Sequence, residues 1–406
     1  MQLKTQKHIF KRVCIKKIMK EGDVVDIPCI KSDNCTGCGT CAAVCPHVAI
    51  KLLEDEIGQC IPVIEKEKCI NCHACESFCP ENNPVSCHES MECYAAISKS
   101  DYLYNTTSSG GVATAISEMI INDGGVVYGA SYSDAVVKHI RVETKDGLEY
   151  LKGSKYVQSC VSDCFPLIKQ DLLKGRKVLF IGTPCQTAGV KSYLKKINSD
   201  NLLLIDLVCH GAPPMTYLRE YVSSRVGAIP VQDVVFRVKN WKLGINREYE
   251  PVYNRINVHD LFCYAFAKGI IFRESCYHCR YAQPKRCGDI TLGDFWGLEK
   301  TNLPHKAKSM VLINTVLGKK YWEICKSEFD YEQRSVAEAI NGNSQLKAPS
   351  NVPDERKAFL KRYKKYGFTK ALCYSSVGIN TSLLRLKHKL TGRKAKGGYG
   401  MTILKK

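Results

Sequence analysis

No stretch of this 406-residue chain stays apolar for the ~20 residues that a membrane-spanning helix needs. The first twenty residues, MQLKTQKHIFKRVCIKKIMK, also lack the apolar run of a secretory signal. Both absences lead us to expect a cytoplasmic protein, and they set the reading of its 23 cysteines. In a reducing compartment these are thiols and metal ligands rather than a disulfide scaffold. There is no G-x-G-x-x-G and no Walker A loop, so a dinucleotide-binding Rossmann unit or a P-loop has no support. Acidic residues are missing from both ends. Residues 1–20 carry seven Lys or Arg and residues 356–406 carry fifteen, with no Asp or Glu in either. The net charge of +19 therefore belongs to the termini, because the middle holds 37 basic and 40 acidic residues. No aromatic-interleaved basic motif accompanies that charge, and nucleic acid is not an expected partner. Solvated tails remain, or contact with an acidic surface or, peripherally, a membrane through the mixed apolar and basic stretch SLLRLKHKL (382–390).

What is abundant is cysteine in register. CTGCGTCAAVCP (35–46) is echoed by CINCHACESFCP (69–80), so that Cys35, Cys38, Cys41 and Cys45 recur as Cys69, Cys72, Cys75 and Cys79. A proline, Pro46 or Pro80, closes each set. This is the doubled C-x2-C-x2-C-x3-C-P run of two-cluster ferredoxins, in which three thiolates come from one repeat and the fourth from the other. Cys35, Cys38, Cys41 and Cys79 are thereby assigned to one [4Fe–4S] cluster, and Cys69, Cys72, Cys75 and Cys45 to a second. Zinc is the alternative for Cys-x-x-Cys pairs, but it explains neither the third cysteine at the same spacing nor the prolines.

The chain is too long for a ferredoxin alone. The expected order is a basic lead-in over 1–30 with one or two strands, a dicluster module over 31–88, an α/β domain over 95–350 and a basic, helical, mobile tail over 351–406. Cys14 and Cys29 are bystanders, and Cys60, Cys87 and Cys93 have no partner at ligand spacing. TTSSGGVATAISEMIINDGGVVYGASY (106–132) reads as a helix followed by a strand. Ser108 or Ser109 is a candidate cap, and Gly110 and Gly111 would let a ligand approach the helix N-terminus. KVLFIG (177–182), TPCQTAGVKSYLKKI (183–197) and LLLIDLVCHGAPP (202–214) read as strand, crossover helix and strand, hence parallel pairing. Ligands gather at the carboxyl ends of such strands, where Cys185 and Cys209 stand. VQDVVFRVKNWKLG (231–244) supplies a strand carrying Arg237 and Lys239. Farther on, CYHCRYAQPKRCGDITLGDFWG (276–297) sets Cys276 and Cys279 ahead of another strand. Two readings stay open there: a small zinc loop or buried thiols, or a third cubane held by Cys185, Cys209, Cys276 and Cys279, with Cys287 as a rival fourth ligand. Cys160 and Cys164, at i and i+4, are candidates to share a helix face. The fold class expected is an α+β ferredoxin-like dicluster module followed by an α/β domain with a largely parallel sheet.

The order of dicluster run, SSGG, GSKYVQS, GTPCQTAG, DLVCHG, FRVK, CYHC and DITLGDFWG over residues 31–315 resembles the coenzyme F420 hydrogenase/dehydrogenase beta-subunit family in its ferredoxin-fused form. The resemblance implies an iron–sulfur flavoprotein oxidoreductase. FAD would sit in the α/β domain, and electrons would pass between clusters and an organic substrate or carrier. It implies flavin contacts around Ser109, Gly110 and Gly111, around Lys155, Tyr156 and Gln158, and around Thr183 and Gln186. It also implies a domain cluster near Cys185, Cys209, Cys276 and Cys279. A soluble ferredoxin or a catalytic subunit is the expected redox partner, and a non-catalytic electron-transfer subunit is the alternative function. His210, beside Cys209, is a candidate proton donor against the simpler reading of a structural histidine.

Overall fold

Strands buried on both faces read as mostly apolar runs, and the centre of this protein is built from four of them, with Asp206 and Thr291 as buried polar exceptions. In the computed structural model, which describes residues 24–26, 32–133, 136–227, 231–237, 242–247, 250–298 and 300–391, Val126–Ser133, Val178–Gly182, Leu202–Leu207 and Ile290–Asp294 lie side by side and parallel. Side chains alternate across the sheet. Val178, Phe180, Leu202 and Leu204 meet Phe165, Ile168 and Val190 of the helices Cys164–Leu173 and Pro184–Tyr193. Leu179, Leu203 and Ile205 belong instead to the core formed with Ile116, Ile120 and Trp322, from the helices Val112–Asn122 and Val316–Cys325.

The sheet is less parallel than expected. It has eight strands, in the order 329–334, 92–98, 309–313, 290–294, 202–207, 178–182, 126–133, 136–142. Only the central four are parallel; the pairings toward both edges are antiparallel. Only Val126–Ser133 and Val136–Val142 turn back through a short connection, while Glu92–Ser98 takes antiparallel partners more than 200 residues away, which a local reading does not reach. Cys160 and Cys164 do not share a helix face either. Cys160 bridges to Lys138 before the helix that starts at Cys164.

Inside the sheet, Asp206 is fully buried and gathers its neighbours. It accepts from Arg286 Nη2 at 3.0 Å, Thr291 Oγ1 at 2.6 Å and the amides of Cys287 and Gly288 at 3.1 and 3.0 Å. A buried carboxylate is tolerated when its lone pairs are used this fully. The network fixes the segment that follows Cys276 and Cys279 onto the strand that precedes Cys209.

In the cysteine-repeat module Ile50–Glu54 and Cys60–Glu65 form an antiparallel pair, as the spacing suggests, and Val24–Asp26 adds a third strand. Cys14, Cys29, Lys239 and the first strand expected in the lead-in lie outside the described residues. The supposed C-terminal tail is a larger departure. Helices Glu355–Tyr366, Phe368–Cys373 and Ser376–Thr391 fold back. Phe359, Tyr363 and Phe368 are buried in an aromatic core with Tyr217, Tyr221 and Phe262. High charge hid this, because the apolar stripe is only one face of the helix. The last helix is held on one side by Arg385 Nε to the His259 carbonyl at 3.0 Å and by His388 to His259 at 2.7 Å. Its other side exposes Ile379, Leu383, Leu386 and Leu390. No helix among the described residues is long and apolar enough to cross a membrane.

Candidate active site

The parallel strands end on one edge, and there a cavity of about 350 Å³ opens, within the ~300–1,000 Å³ usual for ligand sites. Its wall combines three groups of residues that the sequence separates. Ser109, Gly111, Lys155, Tyr156, Gln158, Thr183 and Gln186 line it, and so do Cys185, Cys209, Cys276 and Cys279. Gly110 does not line it. A Cβ there would meet the Ala96 carbonyl at 2.1 Å, and its amide donates to Ser309 Oγ at 2.9 Å. That glycine lets the loop approach the sheet, not a ligand. Neither serine caps the helix as expected, because the N-cap is Gly111, in a left-handed conformation (φ +85). Val112, Ala113 and Thr114 of the first turn border the cavity.

Lys155 is placed differently from a phosphate-binding lysine. Its Nζ donates to the carbonyls of Tyr150, Leu151 and Lys152 at 3.3, 3.0 and 2.7 Å, so all three protons are in use. Burial lowers its pKa to about 8. The cation that the sequence reading did not single out for this site is Arg237. It forms a two-pronged pair with Asp294, Nη1 to Oδ2 at 2.6 Å and Nη2 to Oδ1 at 2.8 Å, and Asp294 also accepts from Ser109. FRVK, LGDF and SSGG thereby meet at one carboxylate.

Behind the wall runs a chain of hydrogen bonds. Gln186 Oε1 accepts from the Thr183 amide at 3.0 Å, in the manner of a capping box. Its Nε2 donates to Ser159 Oγ at 2.9 Å. Ser159 Oγ is 2.9 Å from His139 Nδ1, and His139 Nε2 is 3.0 Å from the Ile181 carbonyl. A carbonyl can only accept, which puts the proton on Nε2 and makes Nδ1 the acceptor from Ser159. Burial lowers His139 to about 4. The folded protein therefore holds a neutral imidazole where the unfolded chain binds a proton below the ordinary value of about 6.5. Stability then rises with pH through that window. Acidification from pH 8 to pH 5 is expected to cost about 2 kcal/mol through this group. Melting temperatures across that range, compared with a His139→Asn variant of flatter dependence, check it. Burial also lowers the pKa of His210.

The four cavity thiols come from three segments and face one another. Burial, then Cys279, Cys209 and Cys276, push Cys185 well above the usual thiol range. Cys209 rises to about 12 through burial and then Cys276 and Cys279. The Ala212 amide donates to Cys276 Sγ at 3.4 Å. Thiols that burial and mutual repulsion keep protonated are released from both penalties by coordination to iron, which takes the thiolate. Cys287, the rival ligand, instead has its sulfur 3.0 Å from that of Cys87, which the sequence left without a partner.

In the repeat module, burial followed by Cys38, Cys35 and Cys79 raises Cys41, which puts these four thiols in one group. Cys45, Cys69 and Cys75 pack round a second small core with Ile50 and Ile64, and Cys72 is exposed. The first group abuts the cavity thiols. A Cβ at Gly189 would meet Thr40 Oγ1 at 2.8 Å and Cys38 Cβ at 3.2 Å, so the loop carrying Cys38 rests on the helix that begins beside Cys185. Arg273, almost wholly buried, grips the same loop. Its Nη2 donates to the carbonyls of Cys35 and Cys60 at 2.9 and 3.0 Å, and its Nη1 to Gln158 Oε1 at 2.6 Å. Gln158 Nε2 in turn donates to the carbonyls of Thr36 and Gly37 at 3.1 and 3.3 Å. Gln158 thus joins the two modules, a role that its place in GSKYVQS did not announce.

Two stretches of the chain match known protein families. Residues 175–338 match the family model for the C-terminal part of the coenzyme F420 hydrogenase/dehydrogenase beta subunit, and residues 34–83 match the 4Fe–4S dicluster domain. The chain is 22% identical over 320 residues to the F subunit of the F(420)H(2) dehydrogenase of Methanosarcina mazei, covering 74% of this chain and 85% of that protein. It also aligns with a chain of the xenon-derivatised F420-reducing [NiFe] hydrogenase complex from Methanosarcina barkeri. There the TM-score is 0.45 and the identity 18%, over 77% of this chain and 98% of that one.

Proposed function

We propose that this chain, whose residues 175–338 match the coenzyme F420 hydrogenase/dehydrogenase beta-subunit family model and whose residues 34–83 match a 4Fe–4S dicluster domain, belongs to that family and is an FAD-dependent iron–sulfur oxidoreductase. It would pass electrons between three [4Fe–4S] clusters and an organic substrate or carrier. The observation that carries this reading is the shared wall: four mutually facing thiols line the same cavity as the helix N-terminus and the Tyr156 ring. Cys72, exposed, marks the outer end of the path. The loop bearing Cys38 against Gly189 marks the middle, and the cavity the inner end.

The residues fit a flavin nucleotide. The unpaired first-turn amides of the helix starting at Val112 suit phosphate. Tyr156, stacked on Phe266 at 4.7 Å, offers a fixed aromatic face at the cavity. Arg237 is held in place by Asp294, and the Gln186–Ser159–His139 chain fixes the wall behind Thr183. When bound, a flavin supplies exchange between single and paired electrons. Anaerobic purification followed by iron and flavin analysis tests the reading. About twelve irons per chain and stoichiometric FAD are expected, with reduction of a dye or deazaflavin acceptor. A chain with about eight irons and no flavin absorbance would sink it.

A docked electron-transfer subunit is the second reading. It is favoured by the relative, itself named as a component of a larger dehydrogenase, and by the exposed stripe of Ile379, Leu383, Leu386 and Leu390. Lys387 and Lys389 flank that stripe on opposite sides, as in helices that lie on anionic surfaces. Under this reading the chain co-purifies with another chain, and a Leu383→Glu, Leu390→Glu variant should lose that partner. A chain that purifies alone and sediments with anionic vesicles would sink it.

A further inference from the structure

Two cysteines outside the proposed ligand sets, Cys87 and Cys287, pack beside Cys185 and Cys279 and stand 200 positions apart in sequence with their sulfurs 3.0 Å from each other. The backbone around them is a short antiparallel bridge between His88 and Arg286. That pair exchanges both hydrogen bonds, His88 N to Arg286 O at 2.9 Å and Arg286 N to His88 O at 2.8 Å. Residues 87 and 287 are consequently the adjacent pair without hydrogen bonds. There the Cα atoms of antiparallel strands approach to about 4.5 Å and side chains are closest. Cystines occur with Cα separations of about 4.4–6.8 Å. We infer that Cys87 and Cys287 are a redox-reversible pair, whose oxidation staples the segment leaving the cysteine-repeat module to the loop that enters the central strand Ile290–Asp294.

The two sulfurs have unequal access, which gives the reaction a direction. Cys287 is buried, and its amide is held by Asp206. Cys87 is half-buried in a segment where Lys191 Nζ ties the Ser86 carbonyl at 2.9 Å and the Cys287 carbonyl at 3.3 Å. The oxidant is a low-molecular-weight disulfide. The Cys87 thiolate attacks one of its sulfurs, a mixed disulfide forms, and one small thiolate leaves. The Cys287 thiol then gives up its proton and attacks Cys87 Sγ, and the second small thiolate leaves. Two protein thiols are oxidised to a cystine while one small disulfide is reduced to two thiols. An added dithiol reverses it.

Anaerobic treatment of the iron-loaded chain with oxidised glutathione, then alkylation and peptide mapping, tests the pair. We expect one cross-linked peptide joining Cys87 to Cys287, two hydrogens lighter than the separate thiols and reverted by dithiothreitol, with iron content unchanged. The oxidised chain should also melt at a higher temperature, because a long loop is closed. Cys87→Ser should lose the cross-link and the shift and keep its iron. A glutathione adduct that stays on Cys87, or Cys287 recovered fully alkylated, would overturn the inference. So would loss of iron in Cys87→Ser, which would make the sulfur a cluster ligand and leave the proposed redox function standing.

Discussion

A chain in which Cys276 and Cys279 are both alanine is expected to lose a third of its iron, from about twelve atoms to about eight. Reduction of an acceptor at the cavity should fall to background. The two thiols come from one turn and face Cys185 and Cys209 from the other two segments, so removing them leaves half of a cubane's ligand set. The dicluster module shares no thiol with this group and should keep its eight. Some loss of stability accompanies the change, because the Ala212 amide that donates to Cys276 Sγ loses its acceptor. A buried donor left unsatisfied costs about 1–3 kcal/mol. Iron analysis with circular dichroism on the same sample separates lost ligands from a lost fold. Unchanged iron in a folded double variant would remove the third cluster.

Arg273→Met should do comparable damage by another route. The guanidinium is 1% exposed and makes three hydrogen bonds, two of them to carbonyls of the repeat module. Methionine fills similar volume but strands those carbonyls and Gln158 Oε1. Hydrogen bonds to a charged group contribute about 1.5–3 kcal/mol each, so a loss of at least about 3 kcal/mol is expected, seen as a melting temperature lower by about 4 °C. The charge has a second effect. Arg273 draws down the thiol pKa of both Cys35 and Cys276, against the larger upward push of burial. A positive charge that favours thiolate also favours the more negative, reduced state of a cluster. Without it the reduction potentials of the clusters on either side should fall, on the order of tens of millivolts. Arg273→Lys keeps the charge and loses the fork. It should restore the potentials better than the stability, and equal failure in both would refute the electrostatic part.

The cysteine repeats were legible because their chemistry is local: four residues at fixed spacing, twice. The strands around Leu179, Leu203 and Leu292 were legible because two-sided burial leaves them mostly apolar, with Asp206 and Thr291 as buried exceptions. The edges of the sheet were not, because the pairing direction of Glu92–Ser98 depends on partners more than 200 residues away. The joints of the site were hidden for the same reason. Asp294 is 185 positions from Ser109, and Arg273 is 238 from Cys35. Carbonyl oxygens, the acceptors for Arg273, Gln158 and Lys155, leave no trace in an amino-acid sequence, so Arg273 was passed over and Gln158 and Lys155 were read only as the flavin contacts that the resemblance implies. Phe359 and Tyr363 were masked by the lysines and arginines that share their helix.

The grip on the first cysteine loop has a consequence for how such a chain comes to be assembled. Arg273 and Gln158 take hold of four main-chain oxygens, those of Cys35, Thr36, Gly37 and Cys60, and of no side chain in the repeat module. At Gly37, with φ +66, a Cβ would run into Gln158 Nε2 at 2.4 Å. The socket therefore reads mainly the backbone trace and missing methyl groups at Gly37, Gly39 and Gly58, with Gln59 and Glu54 adding side-chain contacts to the Glu274 amide and Arg219. An adaptor of that kind lets the outer face of the small module drift toward new electron donors while its seat on the larger one stays the same.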